Sequence, residues 1–276
     1  MLKEDIFKVI NTTKTINIKK EVIKSLLLPG LSFIINDFNP TKPSLSKIGG
    51  HPLISEEDYP IFMGKPLLFL VQISLAQINY INNLLPKEGF LSFFLLTENV
   101  HNRYPDRKDE FKVIYKRDID QKKHHRDSVT INEHSISFLE FYTFPSYQEN
   151  IIIENNLTEE ELFFIEEIES NLQPFEFESC DIGHQILGHP KAIQGTIRFW
   201  WAVKYLGFGN IDSLTELEKE MVRHEEDKFI LLLQLDFSDK KITIDYFGDS
   251  VAYFGIHQQD LENRNFDNVI LVMQNT

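Results

Sequence analysis

The sequence predicts an α+β fold dominated by antiparallel sheet, built as two related β-rich halves with a few peripheral helices. Three observations lead there: short apolar, β-branched or aromatic runs bounded by turn residues, Ser/Thr-x-x-Glu/Gln sequences that open helices, and an ordered set of motifs that occurs twice.

Residues 1–45 read as an N-terminal helical cover. Ile6, Ile10, Ile16, Ile18, Val22, Ile23 and Leu26 to Leu28 fit one or two amphipathic helices that stop before Pro29-Gly30. Leu31 to Ser46 reads as loop and short strand, punctuated by Pro40 and Pro43. Residues 46–145 form the first β-rich half, with strands over Leu67 to Ile73, Phe90 to Thr97, Phe111 to Lys116 and Ile136 to Phe144. Ser74-x-x-Gln77 has the form of a capping box and starts a short helix between the first two strands. Residues 146–182 form an acidic helical connector, opened by Thr158-x-x-Glu161 and running to Leu172, with Leu162, Ile165 and Ile168 on one face. In the second β-rich half, residues 183–276, Ser213-x-x-Glu216 opens a helix. Strands follow over Phe229 to Phe237, Ile242 to Phe247, Val251 to Ile256 and Val269 to Met273, the first pair joined by the turn Ser238-Asp239.

The repeat rests on order rather than identity. Ser46-Lys47-Ile48-Gly49-Gly50-His51-Pro52 resembles His184-Gln185-Ile186-Leu187-Gly188-His189-Pro190. An apolar strand interrupted by one glutamine follows each, with Gln72 in the first half and Gln234 in the second, and a further strand follows that. A buried carboxamide needs partners for its two donors and its acceptor, and a loop containing glycine and proline offers backbone groups outside any ladder. Gln72 and Gln234 are therefore expected to clamp the Gly-His-Pro loop of each half.

These residues carry a family resemblance. Ser46-Lys47-Ile48-Gly49-Gly50-x-Pro52, Pro66-Leu67-x-Phe69-Leu70-x-Gln72-Ile73, Leu85-Pro86-x-x-Gly89, Gly183-His184-x-Ile186-x-Gly188-x-Pro190, Gln194, Leu231-Leu232-Leu233-Gln234-x-Asp236 and Gly248-Asp249 together resemble the YwqG-like family of bacterial proteins. The resemblance runs from about residue 44 to the C-terminus. It implies a compact, mostly β, α+β unit in the cytoplasm and implies no activity. Two positions depart from the family pattern: Tyr59-Pro60 stands for Trp-Pro, and Tyr246-Phe247-Gly248-Asp249 for Met-Trp-Gly-Asp. Both keep an aromatic ring and lose an indole N–H.

Charge and composition exclude several classes. With 28 basic and 42 acidic residues in 276, the net charge of −14 repels phosphate backbones and anionic lipid, so neither nucleic acid nor membrane is an expected partner. No uninterrupted apolar run exceeds five residues, as in Leu67 to Val71, and the N-terminus lacks the basic and apolar pattern of an export signal. The one cysteine, Cys180, cannot form an internal disulfide, which fits a reducing compartment and a cytoplasmic location.

The constellations that could carry chemistry are sparse. Cys180, His184 and His189 fall within ten residues, yet their spacing matches no zinc pattern, and Gly188 and Pro190 oppose a helical ligand pair. Asp236, Asp239, Asp245 and Asp249 crowd one hairpin without the EF-hand pattern and read as acidic turns. Neither a Gly-x-Ser-x-Gly elbow nor a nucleotide-binding glycine loop occurs, so no cofactor is expected. Lys122-Lys123-His124-His125-Arg126 reads as a solvated loop beside aspartates 118, 120 and 127. Phe199-Trp200-Trp201 is the richest recognition candidate, one ring facing the core and the other outward if the segment is a strand.

The expected function is a non-catalytic cytosolic module that binds another protein, by charge a basic one, and the neutralisation of a basic toxin is one instance. The alternative is a small-ligand binder or hydrolase-type enzyme whose pocket lies between the halves, lined by His184, His189, Gln194, Gln234 and Asp249. Convergence of those five on one cavity favours the enzyme, and dispersal favours the partner. The sequence leaves the oligomeric state open.

Overall fold

The computed structural model describes residues 3–13, 19–37, 44–78, 80–81, 84–97, 103–119, 131–172, 183–209, 211–242 and 244–275. Cys180 and the Lys122 to Arg126 run lie outside the described residues.

The chain opens with helices α1 (Lys3–Thr12) and α2 (Lys20–Leu26), whose Ile6, Ile10, Ile23 and Leu26 are buried. Strand β1 (Leu28–Ile35) follows at once. The helix stops before Pro29-Gly30 as expected, while the strand expected after Leu31 begins earlier, at Leu28, so that Pro29 and Gly30 sit inside it. After the short β2 (Lys47–Ile48) comes the small hairpin β3 (Ile61–Phe62) and β4 (Lys65–Pro66). Strands β5 (Leu68–Ser74), β6 (Phe90–Leu95), β7 (Phe111–Lys116) and β8 (His134–Thr143) complete the first stretch, close to the sequence-based spans. Next come α3 (Asn150–Glu154), α4 (Glu159–Leu172), β9 (Gln185–Leu187), α5 (Ile197–Tyr205) and α6 (Glu216–Glu226). The chain closes with β10 (Phe229–Asp236), β11 (Ser250–His257), α7 (Gln258–Glu262) and β12 (Ile270–Asn275).

Ten strands form one sheet in the order β12-β11-β10-β9-β1-β8-β2-β5-β6-β7, and every pairing is antiparallel. The molecule is thus α+β with a mostly antiparallel sheet. The long β1/β8 pair lies at its middle, in register from Leu28 opposite Thr143 to Ile35 opposite Ile136. The sheet curls so that its two ends share a core: Phe93 of β6 meets Phe254 of β11 edge-on with ring centres 5.2 Å apart, and Phe111 of β7 meets the same ring at 6.2 Å.

Both outer faces are covered. Trp201, Ala202 and Val203 of α5 and Val222 of α6 pack on Leu231, Val251, Tyr253 and Val272. On the opposite side Ile54, Tyr59 and Phe62 pack on Phe69 and Phe94. Being covered on both faces, β5, β10 and β11 are buried along their whole length, which explains their near-continuous apolar sequences.

A shared irregularity orients the two glutamine strands. The register slips between Phe69 and Val71 in β5 and between Leu231 and Leu233 in β10, in each case with the extra residue two before the glutamine. The extra residue sends Leu70 and Val71, and likewise Leu232 and Leu233, into the central core. It leaves Gln72 and Gln234 turned toward the covering loops.

Three local expectations are corrected. Ser74 makes no side-chain cap, and Leu75–Gln77 is one 3₁₀ turn, with the Gln77 side chain accepting instead from the Ser46 hydroxyl. The cap of α6 is Thr215, not Ser213: the Thr215 hydroxyl accepts the Glu218 N–H while the Glu218 carboxylate accepts the Thr215 N–H. The strand expected over Ile242 to Phe247 is a chain of turns, in which the Asp239 carbonyl takes the Ile242 N–H and the Ile244 carbonyl takes those of Phe247 and Gly248. Its apolar residues plug the central core, so their alternation imitated a strand. The box at Thr158 and Glu161 forms as expected and opens α4.

Candidate functional site

The His184 to Pro190 segment holds two of the candidate residues, His184 and His189, which flank strand β9. Gly183 donates its N–H to Asp236 Oδ2 at 3.0 Å, which draws the segment against the end of β10. His184 then stacks flat on Phe33 with ring centres 4.8 Å apart. Its Nδ1 accepts the Asp236 N–H at 3.2 Å, so the ring proton sits on Nε2, which faces Asp239 Oδ2 at 3.1 Å. Asp236 caps its own turn by accepting the N–H and hydroxyl of Ser238 on Oδ1.

Five residues on, His189 occupies a second polar cluster. Its Nε2 lies 2.8 Å from the Leu26 carbonyl, which only an N–H can satisfy, and its Nδ1 accepts from Arg198 Nη1 at 2.8 Å. Burial, and then the Arg198 charge, hold its pKa well below the usual histidine value. The ring is therefore neutral. Arg198, on α5, also donates to Glu149 Oε2, while Glu149 Oε1 is buried without a hydrogen-bond partner. Burial raises the Glu149 pKa, with Arg198 opposing. Nearby Glu226 is pushed up to about 8 by burial, then by the charges of Asp227 and Glu149.

The two carboxamides hold the loops at matching points. Gln72 Oε1 accepts the Leu53 N–H at 2.9 Å and its Nε2 donates to the Leu45 carbonyl at 3.0 Å. Gln234 Oε1 accepts the Lys191 N–H at 2.9 Å and its Nε2 donates to the Gly183 carbonyl at 3.0 Å. Each amide bridges the residue before its motif to the residue after the proline. Both bends pass through left-handed backbone, with Gly50 at φ +68° and Gly188 at +73°. A Cβ at Gly188 would lie 2.7 Å from Thr143 Oγ1, so both conformation and space demand glycine there.

The remaining candidates scatter. Gln194 is exposed and bound to strand β12, donating its side-chain amide to the Asn275 carbonyl at 2.8 Å and its backbone N–H to Gln274 Oε1 at 2.9 Å. Trp200 and Trp201 lie on helix α5 rather than a strand. Trp201 is fully buried, its indole N–H 3.3 Å from the Tyr253 carbonyl, whereas Trp200 is half-buried beside Phe199. Asp249 is exposed. Tyr59, at the position where an indole was in question, donates its hydroxyl to the Leu67 carbonyl at 3.2 Å.

The structure thus brings His184 together with Asp236 and Asp239, and His189 with Arg198 and Glu149, but does not gather His184, His189, Gln194, Gln234 and Asp249. Both ring nitrogens of His184 and His189 are spent on bonds within the protein, leaving neither a lone pair nor a proton for a substrate. Among the described residues no cluster of three or more His, Cys, Asp or Glu side chains has metal-holding geometry, and no helix is long and apolar enough to cross a membrane.

Three cavities are lined by other residues. One of about 710 Å³ lies between Leu84–Glu88 with Arg117 on one side and Gln258–Arg264 on the other. A second, about 1040 Å³, lies between α1 and α4. The third, about 340 Å³, lies beside Pro190 and Lys191, against α4. Sequence reasoning missed Arg198, Glu149 and Glu226. The sole signal was Arg198, a cation inside the apolar run Thr196 to Val203, which needs a buried partner if its helix packs on that face.

No curated protein matches the chain. A family model described as Domain of unknown function (DUF1963) matches residues 46–274, the stretch from strand β2 to β12 that contains both glutamine-clamped bends. The chain belongs to that family of domains of unknown function.

Proposed function

We propose that this protein is a non-catalytic, YwqG-like, protein-binding module of the cytoplasm, made of two related halves, whose partner is a basic protein. A basic toxin neutralised by binding is one such partner. The observation that carries the reading is the dispersal and internal saturation of the polar residues that a reaction centre would need: His184, His189 and Gln234 are buried and bonded to the fold itself. What is left to act is surface, and the net charge of −14 favours a cationic counterpart. The halves are supported by strand order, since β2-β5-β6-β7 and β9-β10-β11-β12 run outward from the β1/β8 pair with the same succession of bend, glutamine strand and two further strands.

One observation favours a second reading. The cavity of about 710 Å³ draws its walls from both halves and contains Lys87, Arg117 and Arg264, a setting for a small anion. Affinity capture from cytosol separates the two. The module reading expects a basic protein retained at low salt and released as ionic strength rises. Recovery of a bound metabolite with no retained protein would reverse the order.

A further inference from the structure

We propose that the groove between α1 and α4 is a docking site for a cationic amphipathic helix of the partner, an inference that rests on the protein-binding reading and gives it a place. Its apolar lining is Val9, Phe164, Ile168 and Phe163, the last with 70 % of its surface exposed. A large ring so placed is out of keeping with α4, whose Ile165 and Ile168 are buried against α1 and α2. Glu159, Glu160 and Glu167 border the same groove. Helix α4 carries six glutamates and no lysine or arginine in 14 residues. An apolar lining bordered by glutamates selects an occupant with an apolar face and a basic one.

Size points to a helix. The groove, at about 1040 Å³, is at the upper limit of small-ligand pockets, which hold roughly 300–1000 Å³. At about 1.5 Å per residue the ten residues of α1 extend about 15 Å, so some three turns of a third helix can lie along the trough. Two packed helices present ridges into which a third seats its side chains, and Phe163 would fill the space between them.

The test uses the whole protein and a labelled synthetic peptide of about 12 residues, with leucine on one helical face and lysine on the other. A peptide of the same composition in scrambled order and one with glutamate for lysine serve as controls. Saturable 1:1 binding is expected for the first peptide only, weakening at least tenfold between low and high salt. Phe163→Ser is expected to weaken it about 30-fold, as loss of a central aromatic anchor does. The double change Glu160→Lys with Glu167→Lys is expected to weaken it at least tenfold. All three side chains face solvent, so unchanged circular dichroism and urea midpoint will show the fold intact.

Equal binding of the scrambled peptide, or no effect of Phe163→Ser, would overturn the groove. So would a shift from dimer to monomer on Phe163→Ser, which would make a second copy the occupant. If Phe163→Ser protein still captures the basic partner from cytosol, the docking site is wrong and the module reading stands. If no basic partner is captured at all, the broader reading fails first.

Discussion

Gly255 and Trp201 make one packing unit. A Cβ built on Gly255 would stand 2.3 Å from the Trp201 ring, so strand β11 stays bare at that point to let the indole lie on the sheet. Gly255→Ala should cost about 2–3 kcal/mol, read as a lower urea midpoint with an unchanged slope and a red shift in tryptophan emission. An unshifted midpoint would place the indole elsewhere. The same scale shows what could be read from sequence. Gln72 and Gln234 were legible because an amide within an apolar strand must find partners, and both found the expected loops. His184 and His189 stood out as chemistry-bearing types, but their saturation depends on Phe33, Leu26, Asp239 and Arg198, which lie far off in the chain and reach them only through the fold.

At the scale of elements, α5, α6 and the turn before α3 meet over a buried ionic cluster. Glu226, raised to about 8, binds its proton more tightly folded than unfolded, and Glu149 and Asp227 are raised too. Unfolding therefore releases protons above the ordinary carboxylate range, and stability should fall as pH rises from about 4.5 through 8. His189 acts in the opposite sense. Its depressed pKa means that the unfolded chain takes up a proton that the folded one refuses, so stability should also fall as pH drops below about 6.5. Thermal melts of wild type and Glu226→Gln across pH 5 to 9 should diverge progressively from pH 5 to about 8 and run parallel above that, the variant holding its melting temperature better; curves parallel throughout would remove Glu226 from the account. Strands β5, β6, β7, β8, β10, β11 and β12 were legible because each is short, apolar and β-rich. The start of strand β1 was not, since Pro29 and Gly30 read as a stop. Yet proline is tolerated near a strand's start, where Pro29 pairs opposite Tyr142.

The whole molecule is arranged about the β1/β8 pair, and its ten strands form one sheet whose two ends share a core. Sharing of the core was not legible, because face-to-face contacts such as Phe93 with Phe254 carry no local pattern. The order of the motifs was, because bend, glutamine strand and further strand recur in one order along the chain. In both clamps the carboxamide serves the scaffold. That role is tested most directly by urea unfolding of Gln72→Leu and Gln234→Leu, each of which removes the partner of one backbone N–H and one carbonyl. Matched losses of about 2–4 kcal/mol are expected for the two variants, with secondary structure retained. A loss below about 0.5 kcal/mol at either position, or a large loss at one and none at the other, would contradict it.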